Sequence, residues 1–310
     1  MRLFRDLDNL PDEFCRGAVT IGNFDGVHLG HARIIERAVT AARRLGGPAV
    51  VFTFDPHPAR ILRPDRAPVP LCGTDRKAHL LAELGADAVI AYPTDKAFLK
   101  LEPGEFFERI VLLRLGARTM VEGSNFRFGR GHLGNIDALG RLCGEAGVAL
   151  EIVEPIQVDG RIVSSSRIRT LLAHGQVDQA RRMLTEPYRI CGTVIRGAGR
   201  GTHLGFPTAN LAGVDTLLPG EGIYACRAFV EGRVWPAAMN LGPNPTFEEG
   251  LRKIEVHLVD YEGQLYGRRM EVDFLARLRD IVRFDSVDQL TAQMDRDVAA
   301  TREIVSREGE

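Results

Sequence analysis

A short apolar run, Ala18-Val19-Thr20-Ile21, leads into Gly22-Asn23-Phe24-Asp25-Gly26-Val27-His28-Leu29-Gly30-His31. Ile34, Ile35, Ala38, Ala42 and Leu45 then recur at helical spacing until Gly46-Gly47-Pro48. The pattern is a strand, a tight turn and a helix, and it commits the chain to open with an α/β unit. His28 and His31 fall at the mouth of the helix. Backbone N–H groups there lack partners and the helix dipole is positive, so a phosphate is the natural guest. Two imidazoles three residues apart can turn towards one phosphate, and Gly30 lets it approach the backbone. A single histidine at a helix start is more often a plain polar cap. His-x-Gly-His is scarcer: with 8 His and 33 Gly in 310 residues, on the order of 0.02 matches arise by chance.

The first half keeps this rhythm. Strands are expected at Pro48–Phe54, Ala86–Tyr92, Arg118–Val121 and Val148–Val153, with helices at Lys77–Leu84, Glu105–Leu115 and Asn135–Ala146. Such alternation implies a parallel sheet with helices on both faces and right-handed crossovers. Ligands of such sheets lie beyond the carboxyl ends of the strands. The Gly22–His31 turn, the proline-broken loop Asp55-Pro56-His57-Pro58 and the segment Glu122–Gly129 all fall there. In that last segment Asn125 offers a donor and an acceptor, and Phe126 and Phe128 could wall a flat ring or simply pack on the core. Ser164-Ser165-Ser166 precedes a helix with apolar face Ile168, Leu171 and Leu172, so Ser165 or Ser166 is the expected N-cap. Arg169, one turn in, adds forked donors suited to phosphate. Together with the histidine turn this suits nucleotidyl transfer, which asks for positioning and charge stabilisation rather than covalent help.

Near Thr185-Glu186-Pro187 the rhythm changes, and strand-like runs follow with little helix: Arg189–Ile195, Ile223–Val230, Val234–Leu241, Lys253–Val259 and Arg269–Leu275. They read as a small antiparallel barrel. Ser286 and Gln289 form a capping box for a closing helix with an apolar stripe at Val287, Leu290, Met294 and Val298. The loop Arg196–Gly201, with Gly197 and Gly201, has the flexibility and charge to cover phosphates but lacks a Walker ending. In extended chain Thr208 and Asn210 point to one side, offering neutral oxygens suited to a Mg²⁺ that takes its negative ligands from ATP. Glu255 and His257 share the polar face of their strand, where Glu255 is either solvated or a general base for a substrate hydroxyl.

Length is consistent with two domains. A net charge of -1 gives no basic footprint for nucleic acid. Met1 to Leu10 has no signal-peptide core, and no apolar run reaches the roughly 18 residues of a membrane span. The five cysteines lack a Cys-x-x-Cys pair and read as reduced thiols, so the expectation is a cytoplasmic, soluble enzyme.

Several motifs in one order carry a resemblance: Gly22–His31, Phe54–Pro58, Asn125–Gly129, Ser164–Arg169, Leu204–Asn210, Gly222–Ala225, Asn240–Gly242 with Pro245–Phe247, and Glu255–Leu258. Over nearly its whole length the chain resembles the bacterial bifunctional riboflavin kinase/FAD synthetase family. The resemblance implies a Rossmann-like doubly wound FMN adenylyltransferase domain over residues 1–186. Residues 187–310 would form a small antiparallel β-barrel riboflavin kinase domain with its closing helix. His28, His31 and Arg169 would act on the triphosphate, with ATP against Asn23, Phe24, Asp25, Gly26, Gly30, Ser164, Ser165 and Ser166. His57, Asn125 and Phe126 would lie by FMN. In the kinase half, Gly197, Gly201, Thr208 and Asn210 would hold Mg²⁺-ATP, with Thr208 and Asn210 as metal ligands. Glu255 would take the proton from the ribityl 5′-hydroxyl. Riboflavin, FMN, FAD and ATP are the implied small-molecule partners, with no nucleic acid, no membrane and at most a weak homo-oligomer. Asn125 stands where relatives often have an acid, and Ser166 where many have Thr. A nucleotidyltransferase for another phosphorylated acceptor and a flavin-binding regulator without catalysis are the competing readings.

Overall fold

The computed structural model describes residues 1–8, 10–197, 199–244, 246 and 249–308. By packing these residues form two units: Met1–Pro68 with Gly73–Ser164, and Val69–Cys72 with Ser165–Glu310.

In the first unit the apolar runs become β1 (Arg2–Phe4), β2 (Ala18–Ile21), β3 (Ala49–Asp55), β4 (Ala88–Pro93), β5 (Thr119–Gly123) and β6 (Ala149–Val153). They form one parallel sheet in the order β1-β4-β3-β2-β5-β6. Alternate side chains serve opposite faces. Val19, Ile21, Val50, Phe52 and Ile90 join one buried cluster, while Ala18, Val51, Val89 and Val121 join the other. Burial on both faces is why these strands read as continuous apolar runs. The second cluster is completed by α1 (Leu29–Leu45), through Ile35, Ala38, Val39 and Ala42, and by α3 (Thr74–Glu83), through Ala78 and Leu81. The first is completed by Phe106, the segment Phe107–Arg114 and α5 (Ile136–Ala146).

Several boundaries differ from the sequence expectation. The edge strand β1 is too short to show periodicity, and so are β7 (Gln157–Val158) and β8 (Arg161–Ile162), which pair as a hairpin. The expected loop at Asp55–Pro58 instead opens α2 (Pro58–Leu62), with Pro58 in the first turn where its missing N–H costs nothing. The expected helix Glu105–Leu115 is a short α4 (Pro103–Phe106) that widens into a π-helix over Phe107–Arg114.

The second unit begins with α6 (Ser165–Ala173) and α7 (Val177–Arg181). Ser165 is already helical, so Ser164 flanks the helix and the expected cap shifts by one residue. The strands β9 (Arg189–Ile195), β10 (Ala209–Ala212), β11 (Gly222–Val230), β12 (Arg233–Asn244), β13 (Glu249–Leu258) and β14 (Arg269–Arg279) close a barrel in the order β10-β13-β12-β11-β14-β9. Antiparallel pairing of β10 with β9 closes the ring. Between them lies the single turn α8 (Arg200–His203), and α9 (Val287–Arg307) follows the last strand. Gly220 N–H donates to the Leu172 carbonyl at 2.8 Å, and Arg277 N–H to Asp178 at 3.4 Å, which ties α6 and α7 to barrel segments.

Candidate active sites

The first site lies at the sheet's switch point. From β2 the chain runs outward to β3 and β4, then returns on the other side with β5 and β6, so a crevice opens beyond the carboxyl ends of β2 and β5. The turn after β2 is tight: Phe24 and Val27 have φ of 45° and 40°, unusual for non-glycine residues, and both side chains are buried. His28 is the N-cap of α1. Its Nδ1 accepts the His31 N–H at 3.2 Å, and His31 Nδ1 accepts the His28 N–H at 3.3 Å. The rings stack with centroids 3.5 Å apart. A histidine pair thus makes the reciprocal cap that Ser and Glu usually make.

An accepting Nδ1 leaves the ring proton on Nε2, so both imidazoles are neutral donors. Burial holds the His28 pKa down to about 4. Burial, then the neighbouring His28 and Lys77 charges, hold His31 well below the usual histidine range. Gly30 has a reason the sequence did not show: a Cβ there would lie 3.1 Å from the His28 ring.

Under the turn, β2 and β5 pair only at Ala18–Thr119 and Val19–Met120. Beyond that, the Ile21 N–H donates to Glu122 Oε1 at 2.8 Å. Glu122 is buried, and desolvation pushes its pKa well above the ordinary carboxylate range. This role is not legible in the sequence, because nothing there marks which backbone N–H a strand ladder will leave over.

Asn23 is exposed, and Asp25 and Gly26 are buried within the turn. His57 caps α2, accepting the Ala59 N–H at 3.1 Å. Asn125 is exposed, while Phe126 is half-buried and stacked on the buried Phe128, ring centroids 5.5 Å apart. The run continues through Phe106 and Phe98 to Tyr92, Phe54 and Phe52, an aromatic wall that single-sequence periodicity did not reveal. In the second unit, Ser165 and Ser166 open α6, and Arg169 Nε donates to the Val69 carbonyl at 2.9 Å.

The second site is the barrel mouth. Register places Asn210 opposite Glu255 and Glu255 opposite Asn240, a polar row across β10, β13 and β12. Asn240 Nδ2 donates to Asn244 Oδ1 at 2.7 Å, and Asn244 Nδ2 donates to Glu255 Oε2 at 2.9 Å. Asn240 Oδ1 is buried without a hydrogen-bond partner among the described residues. His257 shares this face and its Nδ1 bonds the Pro207 carbonyl at 2.9 Å, anchoring the segment that carries Thr208. A Cβ at Gly197 would collide with the Asn210 amide, and one at Gly201 with the Phe206 carbonyl. These glycines are thus required by close approach rather than by flexibility; Ala198 between them lies outside the described residues, as do Pro245 and Phe247.

The stripe Leu290, Met294 and Val298 on α9 faces this pocket, together with Ile223, Ile281 and Phe284. Val287, expected in the stripe, is 48% exposed. Ser286 caps α9 by accepting the Gln289 N–H at 3.2 Å, while Gln289 reaches Asp285 N–H instead of closing the expected box. One side of the mouth is therefore apolar and the other polar.

Among the described residues no cluster of three His, Cys, Asp or Glu could hold a metal, and no helix is long and apolar enough to cross a membrane. A doubly wound sheet with a histidine-capped helix at its switch point and a barrel with a polar mouth define a two-site, nucleotide-dependent transferase.

The FAD synthetase family model matches residues 11–167, and the riboflavin kinase family model matches residues 184–305. A bifunctional riboflavin kinase/FMN adenylyltransferase of Pseudomonas fluorescens is 36% identical, covering 99% of this chain and 98% of its own. The protein of the same description from Bacillus subtilis is 33% identical over 93% of this chain and 92% of its own. A crystal structure described as a macrolide-efflux protein from Streptococcus pneumoniae superposes with a TM-score of 0.85 at 28% identity, over 97% of this chain and 98% of that one. The chain belongs to the bifunctional riboflavin kinase/FMN adenylyltransferase family.

Proposed function

We propose that the barrel mouth phosphorylates riboflavin with ATP and that the histidine turn adenylylates the resulting FMN, so that one chain makes FMN and then FAD. In the first reaction Glu255 accepts the proton of the ribityl 5′-hydroxyl as that oxygen attacks the γ-phosphorus, and ADP leaves. Asn244 holds the carboxylate for this, and the unpartnered Asn240 Oδ1 accepts a substrate hydroxyl. The flavin ring lies against the Leu290, Met294 and Phe284 side of the mouth. Neutral oxygens, with no acidic cluster among the described residues, suit a Mg²⁺ carried in on ATP phosphates; Thr208 and Asn210 would hold it, and bound there it would neutralise phosphate charge. Gly197 and Gly201 bring the loop down on that ATP.

In the second reaction an FMN phosphate oxygen attacks the α-phosphorus of ATP, and pyrophosphate leaves. His28 and His31 donate Nε2–H to phosphate oxygens as negative charge builds there. The backbone of Asn23–Gly26 and Gly30 lines the phosphates, Ser164, Ser165, Ser166 and Arg169 grip them from the second motif, and Asn125, Phe126 and His57 meet FMN. Residues 1–186 form the adenylyltransferase and 187–310 the kinase in this assignment, and five free cysteines suit a cytoplasmic protein.

The reciprocal capping of two imidazoles at the switch point carries this reading, because it occupies both Nδ1 atoms and leaves two Nε2–H donors for phosphate. One incubation of riboflavin with Mg²⁺-ATP, followed by chromatography, tests it: FMN rises first and FAD follows with pyrophosphate. Absence of both products defeats it.

A further inference from the structure

α3 carries a lysine where a lysine is rare. Lys77 is 8% exposed, and its Nζ makes one hydrogen bond, to Thr53 Oγ1 at 3.4 Å. The Thr53 hydroxyl in turn donates to the Asn23 carbonyl, 3.1 Å away in the phosphate turn. Among the described residues no carboxylate lies within ion-pair distance of this ammonium. The acids nearest in sequence are committed elsewhere: Asp75 pairs with Arg5 at 2.9 Å, Glu83 with His79 at 3.1 Å, and Asp87 accepts the Ala49 N–H at 2.8 Å. A buried cation without a counter-ion is costly unless an anion arrives to pair with it. Its field is felt next door, since the Lys77 charge is one of the causes that keep His31 neutral.

We propose that Lys77 is a further phosphate-binding residue of the adenylyltransferase site, supplying the fixed positive charge that two neutral imidazoles cannot. The proposal rests on the reading that the histidine turn binds the triphosphate of ATP. The histidines direct hydrogen bonds at the phosphates, and Lys77 offsets the charge that gathers as pyrophosphate departs. Thr53 holds the end of a flexible side chain and leaves further ammonium protons for the phosphate.

The test uses full-length Lys77→Met, Thr53→Val and His28→Ala proteins, with FMN saturating, ATP varied and pyrophosphate added as product inhibitor. Lys77→Met should lower kcat/KM for ATP in FAD formation about 100-fold and weaken pyrophosphate inhibition about tenfold. Riboflavin phosphorylation by the same preparation should stay unchanged, and Thr53→Val should lose less than about tenfold. Wild-type kcat/KM in Lys77→Met, or unchanged pyrophosphate inhibition, overturns the proposal. A Thr53→Val loss equal to that of Lys77→Met also overturns it, since Lys77 would then act only by bracing the Asn23 turn. If Lys77→Met lowers the unfolding midpoint, Lys77→Arg is compared with Lys77→Gln, and no recovery with the charge-retaining variant overturns it. A fully active His28→Ala protein would instead remove the triphosphate reading itself, whatever Lys77 does.

Discussion

His28 and His31 each close the helix end with Nδ1 and keep Nε2–H as a second donor. Replacing His28 by Ala should therefore slow FAD formation about 100-fold or more while FMN formation continues, and Glu255→Gln should do the reverse through loss of the base. Separate assays of ADP and pyrophosphate release distinguish them. The capping also predicts a pH dependence. A folded-state pKa held to about 4, below the ordinary 6.5, means the unfolded chain takes up the proton first. Stability from the neutral His28 is thus complete above pH 6.5 and is lost as pH falls towards 4, by on the order of 3 kcal/mol in all. His28→Asn, which caps without titrating, should flatten that part of the unfolding-midpoint profile. Glu122 gives a third residue-scale outcome. Glu122→Gln keeps an acceptor for the Ile21 N–H and should be tolerated, whereas Glu122→Leu strands that donor and should cost about 1–3 kcal/mol in chemical unfolding.

At the scale of elements, the kinase mouth is built from register. Asn210, Glu255 and Asn240 share one face because three strands pair without a slip at those positions. The alternation of Lys253–Leu258 places Glu255 and His257 on one face, but Asn240 is legible only as part of a motif and Asn244 not at all, since partners across strands are set by pairing. The loop before β10 shows the same limit. Gly197 looked like a flexible hinge, and its neighbour in space, Asn210, is thirteen residues away along the chain. Gly197→Ala should push the Asn210 amide aside and raise KM for Mg²⁺-ATP about tenfold or more in FMN formation, with FAD formation from FMN unaffected. Likewise the α9 stripe was legible as a buried face from its period, but whether it faces a core or a pocket depends on where the helix lands.

At the scale of the molecule, packing divides the chain ahead of the functional boundary proposed here. The assigned functional boundary follows Glu186, yet α6 and α7 pack into the unit that contains the barrel, burying Ile168, Leu172, Val177 and Ala180. A fragment of residues 165–310 should therefore unfold at a clearly higher temperature than one of 187–310, measured by calorimetry on both, because the shorter one exposes the barrel surface those helices cover. The sequence by itself determined the parallel sheet, the barrel and the histidine-capped helix, and it located both proposed catalytic motifs, since each is a local pattern of period, turn residue and cap. Only the tertiary structure decided that the Lys77 charge acts on His31, that Glu122 receives the N–H that β2 leaves over, and that Asn240 reaches Glu255 through Asn244. Those pairings join residues far apart in the chain, and burial, strand register and the meeting of helix with sheet fix them only once the whole core has formed.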